Sequence, residues 1–398
     1  MKINTPTLFV EINKYEYIFI VGDKKENDDF ELIHSQKVVL NGIINNKIIS
    51  FDIVYKDIKE NIYSIEQNYN CVFKEVVLII NNFNCSLINF SGFKKLNGSQ
   101  LKKDNITYIL NTLKSKILEV EEKKTILHIF NSRYLLDNRV TENLPIGLFG
   151  NFYSQELSFL LIDTNDYKNL KNIFDKCNLK IKKIISKSFL EGTKIINDFP
   201  KSETFFSIEI SEDNIEIIYF ENNALKFTQF FKFGSDLIFK DITKVLALRL
   251  DIVKNILINS DFSKKSLEHS YIEKDFFRDQ NFRKIKKKLI WDIAKARIEE
   301  IAEIVLFKNI NIKSFLNKDL QIFLRLKKNT DIKCINDIFK TVLSAEKKFD
   351  LNILKDFDLD GIYKGADKLV QFGWKKEAVP VVQEKKSLIK RFFDLFFN

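Results

Sequence analysis

Apolar and polar positions alternate with a period of two near the start of the chain. Leu8–Ile12, Tyr17–Val21, Lys37–Leu40 and Lys47–Tyr55 therefore read as strands. The pattern then lengthens to a helical period over Ile58–Asn68. Glu75–Ile80, EVVLII, is a continuous apolar run of the kind buried on both faces of a sheet. A second block follows, with a helix over Asp104–Lys116, a strand over Lys124–Phe130, a turn at Leu144–Gly150 and a strand over Glu156–Asp163. The helix Asn165–Asn178 and the strand Lys180–Ile185 close it.

After Pro200 a fresh strand series begins: Phe205–Ile210, Ile215–Phe220 and Leu225–Phe231. The helix Leu237–Leu250 follows, then a long helical stretch over Phe282–Phe307 with Ile285, Leu289, Ile293, Ile301 and Val305 at apolar positions. Beyond Phe349 come a short helical patch, a hydrophilic linker over Trp374–Lys386 and a terminal segment. Alternating strands and helices make this an α/β protein. Two strand series that each end in helices suggest a duplicated βββαβα core, one candidate among several α+β arrangements.

The terminal segment has its own pattern. On a helical wheel, Leu388, Ile389, Phe392, Phe393, Leu395, Phe396 and Phe397 share one broad face, and Lys390, Arg391, Asp394 and Asn398 the other. A Phe/Leu face opposite Lys and Arg, following a linker with Pro380, is the pattern of a helix lying in a membrane interface. The alternative is a helix that packs on its own core or in a partner's groove.

Composition changes the picture mainly by exclusion. The 398 residues are 45% hydrophobic and 30% charged, which is globular. The net charge of +10 admits nucleic acid, anionic lipid or an acidic peptide as partner, or reflects a Lys-rich codon bias. The basic runs lack the interleaved aromatic platform of a nucleic-acid binder. Cys71, Cys85, Cys177 and Cys334 are scattered and make no ligand spacing with His34, His128 or His269, so no metal site is expected and a reducing cytoplasm fits. No signal-peptide core and no apolar run of spanning length is found, which predicts a chain that is neither exported nor membrane-spanning. No two glycines are adjacent and no GxG occurs, which removes the phosphate loops that need glycine for close approach.

Three stretches carry a family resemblance. Leu127–Gly150, LHIFNSRYLLDNRVTENLPIGLFG, matches a family segment at Leu127, His128, Tyr134, Asp137, Pro145, Gly147 and Gly150. Phe233–Thr243 retains Gly234, Asp236, Asp241 and Ile242 of a second, and Ala294–Val305 (AKARIEEIAEIV) is similar to a third. In this order and spacing, with an amphipathic C-terminal helix, the chain resembles the bacterial cell-division protein FtsA, a divergent member of the actin family. His128 counts there as a family marker and reads as a core histidine.

The resemblance implies an actin/Hsp70-like duplicated core with an inserted small α+β (SHS2-like) subdomain and a C-terminal amphipathic helix. Subdomain 1A would comprise residues 1–73, 164–199 and 349–373, with the inserted 1C at 74–163. Subdomain 2A would take 200–255 and 319–348, 2B 256–318, the linker 374–386 and the membrane helix 387–398. In the family, glycine-bearing turns cradle ATP and Mg²⁺. The corresponding residues here are Glu11, Asn13 and Lys14 in the first turn and Glu209, Ser211, Glu212 and Asp213 in the second, with Gly234 and Asp241 nearby. The adenosine turn falls near Arg325, Leu326, Lys327 and Lys328. With the glycines gone, the resemblance implies a degenerate site, little or no ATP binding and no enzyme activity. It implies FtsZ, through its C-terminal peptide, as partner at Arg283, Lys284 and Lys287. Other division proteins, a filament of further copies and an anionic lipid surface complete the expected partners. Leu388, Ile389, Lys390, Arg391, Phe392, Phe393, Phe396 and Phe397 would bind that lipid at the cytoplasmic face of the inner membrane. The alternative is an adaptor similar to PilM of type IV pilus assembly, which needs no amphipathic tail; a sugar-kinase-like ATPase would need glycine-rich loops.

Overall fold

The computed structural model describes residues 6–24, 30–81, 83, 85–277, 280–316, 320–327, 332–345 and 349–378. They fall into two compact units, one built on Met1–Asp23, Ile33–Ile185 and the chain from Lys368, the other on Lys24–Leu32 and Ser186–Asp367.

In the first unit the strands β1 (Thr7–Ile12), β2 (Glu16–Lys24) and β3 (Phe30–Val39) precede a two-stranded ribbon, β4 (Ile43–Ile44) and β5 (Lys47–Ile48), and the helix α1 (Phe51–Tyr69). The expected strand Lys47–Tyr55 is thus only its first two residues. Val54, Ile58, Ile62 and Ile65 recur at helical spacing and are all buried, so helical burial wins over local alternation from Phe51 onward. Helix α1 stops at Asn70, in the left-handed conformation at φ 47°, whose amide returns to the Gln67 carbonyl.

Next come β6 (Glu75–Ile80), β7 (Ser86–Lys95), α2 (Lys103–Val120), β8 (Lys124–Leu136), β9 (Arg139–Thr141), β10 (Phe152–Asp163), α3 (Thr164–Lys176) and β11 (Lys180–Ser186). The main sheet is ordered β11-β6-β1-β2-β3, with β1 antiparallel to β2 and parallel to β6. Its core joins Leu8, Val10, Phe19 and Leu78 to Ile58, Ile62, Leu170, Ile173 and Phe174 of α1 and α3. A separate small sheet, β7-β10-β8-β9, is encoded between β6 and α3 and packs one face on α2. Gly92 of β7 permits that approach: a Cβ there would stand 2.2 Å from Ile109 Cγ2.

The second unit opens with α4 (Lys187–Asp198). The meander β12 (Phe205–Ile210), β13 (Ile215–Glu221) and β14 (Ala224–Phe231) follows, then α5 (Asp236–Leu246), α6 (Leu250–Asn259), α7 (Lys264–His269) and α8 (Lys287–Ala302). The single helix expected over Leu237–Leu250 is broken at Ala247, which is left-handed at φ 47°. β15 (Leu320–Leu326), α9 (Lys333–Ala345), β16 (Phe349–Leu354) and α10 (Leu359–Phe372) complete the described chain. β16 pairs parallel with β15, so residues 349–354 are a strand of the second sheet and not the start of a return to the first half.

That sheet is ordered β14-β13-β12-β15-β16. Each five-stranded sheet therefore reads third, second, first, fourth, fifth strand of its own series. The hairpins correspond residue for residue: Ile12 faces Tyr17 across the loop 13–16, and Ile210 faces Ile215 across the loop 211–214. This is the duplication that the two hydrophobic series predict.

Candidate functional site

The two equivalent hairpin loops are where an actin-like core would hold phosphate, and in both part of the backbone is hydrogen-bonded elsewhere. In the first, the Asn13 side-chain oxygen accepts from the amides of Tyr15 and Glu16, each at 2.9 Å, and the Asn13 amide donates to the Glu16 carbonyl at 3.1 Å. The loop is an Asx turn closed on itself. Lys14 lies over the Tyr15 ring at 5.1 Å, and Glu11 is buried in β1.

In the second loop the Ser211 amide donates to Asn214, while the carbonyls of Ser211 and Glu212 accept from the Ser235 and Asp236 amides at 3.0 and 2.9 Å. The loop thus caps the start of α5. Gly234 is required there, since a Cβ would stand 2.3 Å from the Ser211 carbonyl oxygen. Asp213 lies beside Asn214 at 3.1 Å, and Asp241 pairs with Arg297.

Behind the second loop is an ion cluster confined to the second unit. In the sheet register, Glu209 of β12 lies opposite Arg325 of β15. Arg325 is 1% exposed. Its Nη2 donates to Glu191 of α4 and to Glu209, its Nη1 reaches Asp356 at 3.1 Å, and its guanidinium lies 4.1 Å from the Phe357 ring centre. Lys327 adds contacts to Glu209 at 3.1 Å and Asp356 at 3.5 Å. Burial alone would raise the Glu191 carboxyl, but Arg325 holds it well below its ordinary value. Glu209 is raised by burial, which Arg325 and Lys327 only partly offset. Next to them Glu216 of β13 accepts from the Ser188 hydroxyl; burial, with Glu209 behind it, pushes its carboxyl up to about 8. Burial thus favours the neutral form of Glu216. The cations Arg325 and Lys327 are spent on Glu191, Glu209 and Asp356.

The first unit holds a second buried cluster, at the root of the C-terminal tail. His128 of β8 is buried, and its Nδ1 lies 2.6 Å from Glu377 Oε1; Lys183 Nζ meets the other carboxylate oxygen at 2.8 Å. Burial works against the Glu377 charge, but His128 and Lys183 override it and hold the carboxyl down to about 2. Around it the chain adds to the edge of β8: the Asn131 amide donates to Lys376 and the Ala378 amide to Ile129, at 2.8 and 2.7 Å. His128 is a core histidine, as the sequence suggests, and it also holds Glu377 against β8. The membrane-binding residues Leu388, Ile389, Lys390, Arg391, Phe392, Phe393, Phe396 and Phe397 lie outside the described residues, as does Lys328. Among the described residues no helix is long and apolar enough to cross a membrane.

The expected partner-binding cations separate into two kinds. Arg283 Nη2 donates to the carbonyls of Leu246 and Ala247, the latter at 3.1 Å, and so caps the end of α5. Lys287 is 3% exposed and pairs with Glu273 at 2.9 Å. These two support the fold. Lys284, 4.4 Å over the Tyr271 ring, remains exposed with Lys286, Lys288, Phe282 and Leu289.

Glu191, Glu216, Asp356 and Glu377 were not found from the sequence. Only Glu216 carried a signal, a charge inside the apolar run Ile215–Phe220, since such a charge must be paired or neutralised.

No family model matches the chain. It is 20% identical over 401 residues to the cell division protein FtsA of Buchnera aphidicola subsp. Acyrthosiphon pisum, covering 98% of this chain and 95% of that protein. It is 21% identical over 299 residues to the FtsA of Neisseria meningitidis serogroup B, covering 75% and 72%. Among solved structures, a chain of the PilM–PilN type IV pilus biogenesis complex superposes with a TM-score of 0.53 at 9% identity, over 93% of this chain and 98% of that one. The fold is the actin-like ATPase fold, and the paired sheet orders are its duplication.

Proposed function

We propose that this chain serves bacterial cell division as an actin-like adaptor that binds FtsZ and holds it to the inner membrane through residues 387–398. The observation that carries the reading is the similarity to FtsA along nearly the whole of both chains. The amphipathic terminal pattern supports it. The test is co-sedimentation with anionic liposomes. FtsZ polymers should pellet with lipid only when this protein is present; FtsZ left in the supernatant in its presence would overturn the reading.

FtsZ tails are acidic peptides in this reading, and the exposed Lys284, Lys286 and Lys288 beside Phe282 and Leu289 offer charge and apolar contact together. Lys284→Glu with Lys288→Glu, leaving the buried Lys287 intact, should weaken binding of an FtsZ tail peptide about tenfold, near 1.4 kcal/mol. The dependence on salt should also flatten. Equal affinity by fluorescence anisotropy would move the site elsewhere.

We propose further that nucleotide is not a working cofactor of this chain. The first loop closes the Asn13, Tyr15 and Glu16 amides on itself, and the second commits its Ser211 amide to Asn214 and two carbonyls to the start of α5. Arg325 and Lys327 are neutralised by carboxylates, and together these contacts argue against a phosphate group at either loop. Titration calorimetry with Mg-ATP should give no saturable heat. A dissociation constant in the micromolar range or below would refute this, since such affinity needs about 8 kcal/mol from the site.

A second reading rests on the superposition with the PilM–PilN complex. An adaptor of that kind would bind a short peptide of a pilus membrane protein and leave FtsZ in the supernatant of the same assay.

A further inference from the structure

Residues 376–378, where the described chain ends, are hydrogen-bonded to β8 at Ile129 and Asn131 and pinned by Glu377 on His128 and Lys183, so the residues that follow begin beside the small sheet. Whatever surface the tail binds is therefore brought near that sheet. The face opposite α2 is graded along the strands. Gly92 points to α2, so Phe93 points away, and the pairings place Phe93, Ser154, Leu135 and Val140 in one row across all four strands. Phe152 and Lys95 form the next position outward, with the Phe93 and Phe152 rings stacked at 5.6 Å. The row on the inner side is polar: Ser91, Glu156 and Arg133. Apolar groups thus gather at the distal rim and polar ones behind it.

The rim is open. Phe93 is 61% exposed, Val140 65% and Phe149, in the loop before β10, 71%. Its charge is one-sided on the β7 flank: from Phe93 to Lys103 the chain has four lysines and no carboxylate. Arg139 lies in the opposite hairpin, where one oxygen of the exposed Asp137 accepts from the Asn151 and Phe152 amides at 2.8 Å. Asp137 and Glu142 are the two exposed carboxylates between Leu136 and Phe152. Exposed aromatic rings edged by lysine are the composition of an interfacial lipid contact, with rings at acyl depth and cations among anionic headgroups.

We propose that this distal rim, Phe93, Phe149, Phe152 and Val140 flanked by Lys95 and Arg139, is a second contact with an anionic lipid surface. It rests on the reading of residues 387–398 as a membrane helix. The lengths agree. From Ile129, at the tail root, to Leu136, at the rim, is seven strand residues, about 24 Å. Residues 376–378 run antiparallel to β8, away from the rim, and the eight residues 379–386 reach at most about 28 Å, so a linker that turns back can bring the helix and the rim to one plane. Two weak contacts joined by the body raise the effective concentration of each for the bilayer.

The test uses the full chain and vesicles of phosphatidylglycerol and phosphatidylcholine. Phe93→Ser with Phe149→Ser, at two exposed positions, should leave the melting temperature unchanged and weaken vesicle partition about tenfold with the tail intact. Hydrogen exchange at residues 93–95 and 148–152 should slow in the wild type on adding vesicles. Unchanged partition and exchange, in a protein whose tail deletion abolishes binding, would overturn the rim and keep the tail. Binding that survives tail deletion but not the rim substitutions would keep the rim and overturn the tail, and no binding by the wild type would overturn both. If the substitutions instead convert a lipid-free dimer to monomer by sedimentation, the rim faces a second copy and the lipid proposal fails.

Discussion

Deleting residues 387–398 is expected to remove the protein from floated anionic vesicles entirely while its melting curve stays that of the full chain. Each large apolar side chain contributes about 1.5–3 kcal/mol when buried. Phe392→Glu with Phe396→Glu therefore forfeits roughly 3–6 kcal/mol before any cost of placing a carboxylate at the acyl boundary. That is a factor of a hundred or more in partition. Both substitutions fall on the face shared by Leu388, Ile389 and Phe393, so they test the wheel and not merely the presence of a tail. A charge-only tether would respond in the opposite way: it would lose binding on neutralising Lys390 and Arg391 and tolerate the Phe changes in proportion to their charge. Flotation of the double variant at the wild-type level would remove the anchor from the proposed function.

Replacing Arg325 with Met should destabilise the second unit by about 3–5 kcal/mol, because it leaves Glu191 and Glu209 buried with no guanidinium between them. For a unit of this size that is a fall of the order of 10 °C in melting temperature. The loss belongs to the stranded carboxylates more than to the missing pair, and a second variant separates the two. Arg325→Met combined with Glu191→Gln and Glu209→Gln should recover much of the stability, since neutral groups of similar shape can replace a buried ion cluster at little net cost. Urea unfolding of the two variants is the measurement. A loss below 1 kcal/mol in the single variant would mean that water reaches the cluster and the ion pairs are not structural.

Much of the fold could be read from the chain because burial there is one-dimensional. EVVLII and the run Phe205–Ile210 are strands in any register, and their recurrence in two series exposes the duplication. Strand β7 escaped notice for a definite reason: it is an edge strand with α2 on one side only, so its apolar residues do not alternate cleanly, and Gly92 interrupts them. Helix α1 was entered too late because Ile53 and Tyr55 mimic strand alternation while Val54 and Ile58 make the helical face. The decayed loops were visible as missing glycines. What replaced them was not, because Arg325 finds Glu209 and Glu191 across 116 and 134 residues, and single-sequence reading sees a lone charge without its partners. The division of the basic stretch into Arg283 and Lys287, which hold the fold, and Lys284, which does not, depends likewise on helix ends that only the tertiary structure places.

A guanidinium carried on β15 differs from a bound cation or nucleotide in one thermodynamic respect: its concentration is fixed by the chain. A ligand at a thousand times its dissociation constant adds about 4 kcal/mol to a native state, and that increment rises and falls with supply. The contacts of Arg325 with Glu191, Glu209 and Asp356 are present at full occupancy in every folded molecule.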